Sequence, residues 1–231
     1  METQLIKREF DARYLNSVAN HPAVRGGSRI KEDIDMTPMV QDYRNLILTY
    51  EGGGFLVLWK GNGIYEVHTM VLKGGRGGVL RDAINEALEY MFFRTDCERL
   101  ITVAYKENPA SVALSDAFFE RKGSTELLNY YELRYSNWVQ QCKTAKDAGH
   151  QFHAGVETNH EEDDIHDYHV GGAIQLIQNG NTLKAIKLYN EWAVMSGYEQ
   201  AILVNAFPLI VHIGDMKVIY QDNKLGEIIC Q

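Results

Sequence analysis

The residues best equipped for chemistry lie between Ile64 and Gly78. Lys73-Gly-Gly-Arg-Gly-Gly78 is a glycine-rich run with two cations, Lys73 and Arg76, set between a strand-like stretch and a helical pattern. Glycines let successive backbone N–H groups turn toward one point, and a helix N-terminus adds the positive end of its dipole. Gly74, Gly75, Arg76, Gly77 and Gly78 are therefore candidates to hold a phosphate or pyrophosphate, with Lys73 adding charge beside them. The run is not a P-loop, because no Gly-Lys-Ser/Thr closes it, and it lacks the Gly-x-Gly-x-x-Gly spacing of a dinucleotide fold. Just upstream, Glu66 and His68 stand two apart, so on a strand both point to the same face. A carboxylate or imidazole placed there can take a proton from an attacking nucleophile; a cross-strand pairing on the sheet face explains the same two residues without catalysis.

Five histidines, His150, His153, His160, His166 and His169, flank an acidic run, Glu161-Glu-Asp-Asp164. His150 and His153 are three apart, as are His166 and His169, so either pair suits one helix face. With Glu157, Asp163 or Asp167 they supply the ligand types of a His/carboxylate metal site. The commoner role of such a stretch is a polar linker with solvated acids, and no metal ligand is assigned.

The elements that must position these groups follow from periodicity and turn residues. Gln4 to Phe10 reads as a strand, with Asp11 as N-cap of a helix running toward Asn20. Asn45–Tyr50, Phe55–Trp59 and Ile64–Leu72 form an antiparallel meander, joined at Gly52-Gly-Gly54 and Gly61-Asn-Gly63. Beyond the glycine run, Leu80, Ala83, Ile84, Ala87, Leu88 and Met91 recur at helical spacing. A strand at Leu100–Tyr105, a helix from Pro109 to Arg121 stopped by Gly123, and a strand at Asn129–Tyr135 complete an α/β unit. Composition shifts after Gln141. Two helices then follow, Asp167–Gln178 and Thr182–Ser196, split by Asn179-Gly-Asn181 and stopped by Gly197. Strands at Leu209–Ile213, Met216–Tyr220 and Leu225–Cys230 end the chain. Ile186, Tyr189 and Trp192 share a face of the last helix and read as core. The expected division is 1–140, a linker at 141–165, and a small α+β module at 166–231.

Composition sets the outer bounds. With 31 acidic against 23 basic residues and a formal charge of −8, the chain lacks the basic face that displaces counterions from nucleic acid. No apolar run approaches the ~20 residues of a membrane span, and the N-terminus has no leader-like pattern, so a cytoplasmic location is expected. Cys97, Cys142 and Cys230 form no C-x-x-C pair and no disulfide framework.

The order of meander, Arg-Gly loop, amphipathic helix, strand, Asn-containing turn and helix resembles the GCN5-related N-acetyltransferase (GNAT) family. Val18-Ala-Asn-His-Pro-Ala-Val-Arg25, Tyr65-Glu-Val-His-Thr69 and Tyr90-Met-Phe-Phe-Arg-Thr-Asp-Cys97 are similar to a branch of acetyltransferase-like proteins of tailed phages and prophages, as are His166-Asp-Tyr-His-Val-Gly-Gly172 and Tyr189-Asn-Glu-Trp-Ala193. The resemblance implies an α/β fold with a mixed sheet and flanking helices, acetyl-CoA as cosubstrate, and an amine acceptor. It implies that Gly74–Gly78 with Arg76 hold the pyrophosphate, that Val71, Leu72 and Asn108 line the pantetheine path, and that Glu66, seconded by His68, is the base. Two departures stand out. From Arg76 the loop reads Gly77-Gly78-Val79-Leu80-Arg81, not the family's Arg/Gln-x-x-Gly-x-Gly/Ala. Four residues before Gly123, where many members carry a tyrosine acid, this chain has Phe119. These departures fit an alternative in the same fold: a phage structural or accessory protein, in the virion or host cytosol, whose appended module oligomerises or docks.

Overall fold

The computed structural model describes residues 5–26, 32–152, 162–206, 209–213, 216–221 and 224–230. The chain divides into two units, Met1–Tyr90 with Cys97–Arg134, and Met91–Asp96 with Tyr135–Gln231.

The first unit opens with a short strand β1 (Lys7–Arg8) and three helices, α1 (Ala12–Ala19), α2 (Pro22–Arg25) and α3 (Thr37–Gln41). Asp11 caps α1 as expected, its carboxylate accepting the Arg13 N–H at 2.9 Å. Two asparagines then tie down the chain entering α3. Asn20 exchanges two 2.8 Å hydrogen bonds with the backbone of Ile34, and Asn16 accepts from the Met36 N–H at 2.6 Å. The meander follows as β2 (Leu46–Tyr50), β3 (Gly53–Gly61) and β4 (Ile64–Val71). Its second turn needs left-handed backbone at Gly61, Asn62 and Gly63, which glycine and asparagine tolerate best. Helix α4 (Gly78–Arg94), strand β5 (Arg99–Tyr105), helix α5 (Pro109–Phe118) and strands β6 (Glu120–Ser124) and β7 (Leu128–Arg134) complete the unit.

One expectation is corrected. The helix starting at Pro109 ends at Phe118 rather than Arg121, and Gly123 lies in a strand instead of stopping a helix. Phe119 still donates its N–H to Ser115 but is itself extended. Residues 120–124 then pair with β7 as an edge strand, with a register shift between Arg121 and Gly123. Pairing along a whole strand outweighs the weak helical preference of three residues.

The seven strands run in the order β1-β2-β3-β4-β5-β7-β6. Every neighbouring pair is antiparallel except β4 and β5, which are parallel. Over β2–β4 one sheet face buries Ile47, Leu56 and Met70 against Leu15, Val18 and Ala19 of α1 and Met36. That packing fixes the face from which Glu66 and His68 also project.

The second unit contains α6 (Tyr135–Val139), α7 (Lys143–Phe152), α8 (Glu162–Gln178) and α9 (Thr182–Ser196). Helix α7 occupies part of the stretch expected to be linker. α7 and α8 approach closely through two glycines: a Cβ on Gly149 would overlap the carbonyl of Asp167, and one on Gly171 that of Ala145. Gly197 ends α9 in left-handed conformation, as the sequence implied. A four-stranded antiparallel sheet follows, in the order β11-β10-β9-β8, from β8 (Ile202–Ala206), β9 (Leu209–Ile213), β10 (Met216–Gln221) and β11 (Lys224–Cys230). β8 was not foreseen. Phe92 stacks on Trp138 at 4.8 Å, and Tyr189 and Trp192 are buried as expected. No helix among the described residues is long and apolar enough to cross a membrane.

His169 is 3% exposed and lies flat on Trp192, centroids 4.2 Å apart. Burial, with His166 nearby, holds its pKa down at about 4, against 6.5 for a free imidazole. The unfolded chain therefore binds the extra proton over that interval, and stability is lost as pH falls from 6.5 toward 4. The expected loss is on the order of 2–3 kcal/mol. His169→Phe, which keeps the stack, should flatten the acid-side fall in melting temperature; an unchanged pH slope would count against a neutral buried His169.

Candidate active site

Strands β4 and β5 pair over only three positions, Ile64 with Arg99, Tyr65 with Leu100 and Glu66 with Ile101. Beyond Glu66 they part, while each keeps its other neighbour. β4 stays paired with β3 as far as Val71, opposite Gly53, and β5 stays paired with β7 as far as Tyr105, opposite Leu128. At the point of parting the Thr102 hydroxyl donates to the Val67 carbonyl at 2.8 Å, in place of a backbone bond. The Leu72 N–H goes to Gly52 across β3. By the alternation of a strand, Thr69 and Val71 then turn their N–H and C=O groups into the fork. An extended polar chain laid in the fork would meet a ready ladder.

The fork leads to the glycine run. A single turn of tight helix at Lys73–Gly75 joins β4 to Arg76, and α4 starts at Gly78. Two of its glycines serve the protein itself. A Cβ on Gly75 would overlap the Gly52 carbonyl, and the Tyr50 hydroxyl donates to the Gly75 carbonyl at 3.0 Å. Gly77 holds a left-handed φ of 79°. Gly74, Gly77 and Gly78 face open space, and Lys73 and Arg76 are exposed beside them. The first intrahelical bond of α4 runs from Arg81 N–H to Gly77, so the N–H groups of Gly78, Val79 and Leu80 have no helical acceptor. Open N–H groups beside two exposed cations have the geometry and charge that suit an anion.

Glu66 and His68 meet as the spacing predicted. Glu66 Oε1 lies 3.1 Å from His68 Nε2, and its other oxygen lies 2.6 Å from Lys60 Nζ. Burial pushes the His68 pKa below 6.5, against the pull of Glu66. A neutral imidazole bonded to Glu66 carries its proton on Nε2, which leaves Nδ1 as acceptor. Lys60 was missed in the sequence, although it shares a sheet face with Leu58, the cross-strand partner of Glu66.

A cleft of about 310 Å³ opens beside Glu66. Ile101, Val103 and Tyr130 form its apolar side, and Lys122 and Glu132 its charged side, with Thr102 and Tyr131 completing it. Glu132 is bonded to Arg99 at 3.1 Å and to Arg134 at 2.6 Å. None of these was singled out in the sequence. The signal was there in the register, since Glu66, Ile101 and Glu132 are successive cross-strand partners.

Other candidates are placed elsewhere. Asn108 is the N-cap of α5, its side-chain oxygen accepting the Ser111 N–H at 3.1 Å. Phe119 stands half-buried at the end of α5. Among the histidines, His150 pairs with Asp167 at 3.2 Å, while His166 stacks on Tyr198. His153, His160 and Glu157 lie outside the described residues, as does the Asp163 side chain. Among the described residues no three His, Cys, Asp or Glu gather as a metal site.

Comparison with known proteins gives a likeness of fold. No family model and no curated protein matches the chain. Among solved structures, a spermidine N-acetyltransferase from Vibrio cholerae, in complex with CoA and spermine, matches over 59% of this chain and 98% of its own, at 15% identity and a TM-score of 0.49. An acetyltransferase of the GNAT family from Bacillus anthracis matches over 56% and 93%, at 17% identity and a TM-score of 0.45. The first unit itself, a mixed sheet with one parallel junction and flanking helices, is of the fold class expected from the sequence.

The glycines separate into two kinds, which substitution should resolve. Gly75→Ala must displace Gly52 and should cost about 1–3 kcal/mol, whereas Gly74→Ala, facing open space, should stay within about 0.5 kcal/mol. Urea unfolding of the two variants checks this; equal losses would contradict the packing at Gly52.

Proposed function

We propose that the first unit binds an acyl-CoA, with acetyl-CoA the leading cosubstrate, and passes the acyl group to an amine. The observation that carries this reading is the fork between β4 and β5. It runs from an open anion cradle at Gly74–Gly78 to a hydrogen-bonded carboxylate at Glu66. The pyrophosphate would rest on the N–H groups of the glycine run and on Arg76, with Lys73 alongside. The pantetheine arm would continue the ladder of β4 at Thr69 and Val71 and pass Leu72. Its thioester would then reach the narrow end of the fork.

At that end the neutral amine attacks the thioester carbonyl. A C–N bond forms, the C–S bond breaks, and CoA leaves as thiolate, which takes a proton from solvent. The proton lost by the amine passes to Glu66, directly or through water, while His68 Nε2–H and Lys60 hold the carboxylate in place. Protonation of His68 sets a second cation against Glu66 that competes with the amine proton for the carboxylate, so turnover falls on the acid side.

A reading without turnover has one observation in its favour. Phe119, half-buried at the end of α5, has no proton to give a leaving thiolate. In that reading the GNAT fold is a scaffold of phage type, and the second unit oligomerises or docks.

Isothermal titration with acetyl-CoA separates the two. Micromolar binding is expected, weakened about tenfold or more in Arg76→Ala, equivalent to roughly 1.4 kcal/mol. Absence of heat at millimolar acetyl-CoA would leave the scaffold reading. Given turnover, Glu66→Gln should lower kcat by about a hundredfold or more. The wild-type acid limb of kcat/KM should lie below pH 6.5 and shift in His68→Gln; an unmoved limb removes His68 from the pair.

A further inference from the structure

The cleft beside Glu66 says what kind of amine fits. Its volume of about 310 Å³ is room for roughly ten water-sized groups, enough for a small molecule. The apolar side is built from Ile101 and Val103, both half-buried, and from Tyr130, which is 40% exposed. An aliphatic or aromatic body laid there would lose water on both partners.

The charges around the cleft are already matched. Glu66 is held by Lys60 at 2.6 Å, Glu132 by Arg134 at 2.6 Å and Arg99 at 3.1 Å, and Glu120 by Lys122 at 2.6 Å. Four cations thus stand against three carboxylates, a formal balance of +1 with His68 neutral. One ammonium can approach Glu66, where its proton is to be removed. A second ammonium meets only carboxylates that arginine or lysine already occupies, and it feels those cations at short range. Glu132 is the nearest alternative, two strand spacings (about 10 Å) from Glu66, and it carries two arginines.

We infer that the acceptor is a monoamine with an apolar or aromatic body, seated over Ile101, Val103 and Tyr130 with its nitrogen toward Glu66, and not a polyamine. This rests on the acyl-transfer reading above and narrows its substrate class.

The test sets 2-phenylethylamine against spermidine, using the full chain. CoA release with acetyl-CoA gives kcat and KM for each, and NMR titration of each amine in the absence of acyl donor gives binding alone. The expected result is a kcat/KM for 2-phenylethylamine at least about tenfold above that for spermidine. Tyr130→Ala should raise KM for 2-phenylethylamine about tenfold with kcat little changed. Arg134→Gln, which leaves Glu132 with one arginine, should narrow the gap by improving spermidine. Preference for spermidine, or a KM indifferent to Tyr130→Ala, overturns the inference. If acetyl-CoA does not bind, the acyl-transfer reading fails separately, and the amine titration alone decides. Binding of 2-phenylethylamine that Tyr130→Ala abolishes then upholds the assignment of the cleft; no binding, or tighter spermidine, overturns it.

Discussion

The Thr102 hydroxyl donates to the Val67 carbonyl where β4 and β5 cease to pair. A backbone carbonyl left without a partner inside a protein costs free energy comparable to a lost hydrogen bond. A sheet therefore does not come apart in its middle unless something else meets those groups. Here a single β-branched residue does so at the apex. The two outer ladders, β3 on β4 and β7 on β5, keep both strands extended beyond it. The fork is thus held open by pairing on its outer sides.

What lies at the two ends of the fork follows from that geometry. At the wide end the chain must turn sharply from β4 into α4, and the backbone contact of Gly75 with Gly52 makes the turn possible. Because two glycines are spent on packing and backbone shape, the others are left facing outward. At the narrow end the side chains of Glu66 and His68 emerge on the face that α1 covers only as far as β4. Beyond it, Ile101, Val103 and Tyr130 are left partly in water. A carboxylate at the border of a covered and an uncovered sheet face is reachable and still partly desolvated, which strengthens its interactions with Lys60 and His68.

Much of this was legible in the sequence. The meander showed in its turn residues, α4 in the stripe from Leu80 to Met91, and the Glu66–His68 contact in a spacing of two. α9 was bounded correctly at both ends because Asn181 and Gly197 are strong punctuation. Local signals failed where pairing across the sheet decided the outcome. Residues 120–124 carry charges and a glycine, with no alternating pattern, and only the edge of β7 makes them a strand. The ion pairs of Glu132 were invisible for the same reason, since they join residues far apart in sequence. α7 was hidden because its apolar stripe is thin and its tightest contacts are made through glycine.

Helix α4 begins at the glycine run of the first unit, and its last turn belongs to the second, where Phe92 and Phe93 pack on Trp138. Lys184 donates to the carbonyls of Phe92 and Thr95, and Asn181 to that of Phe93. The chain crosses between units three times rather than once, so no single cut in the sequence divides them. A fragment ending at Arg134 would carry two stranded aromatic side chains at the end of the helix whose other end meets the glycine run. The second unit, expressed from Tyr135 onward, would lack part of its own core. Two units in space are therefore one inheritance in sequence, and a recombination that exchanged either one would have to cut α4 at its last turn.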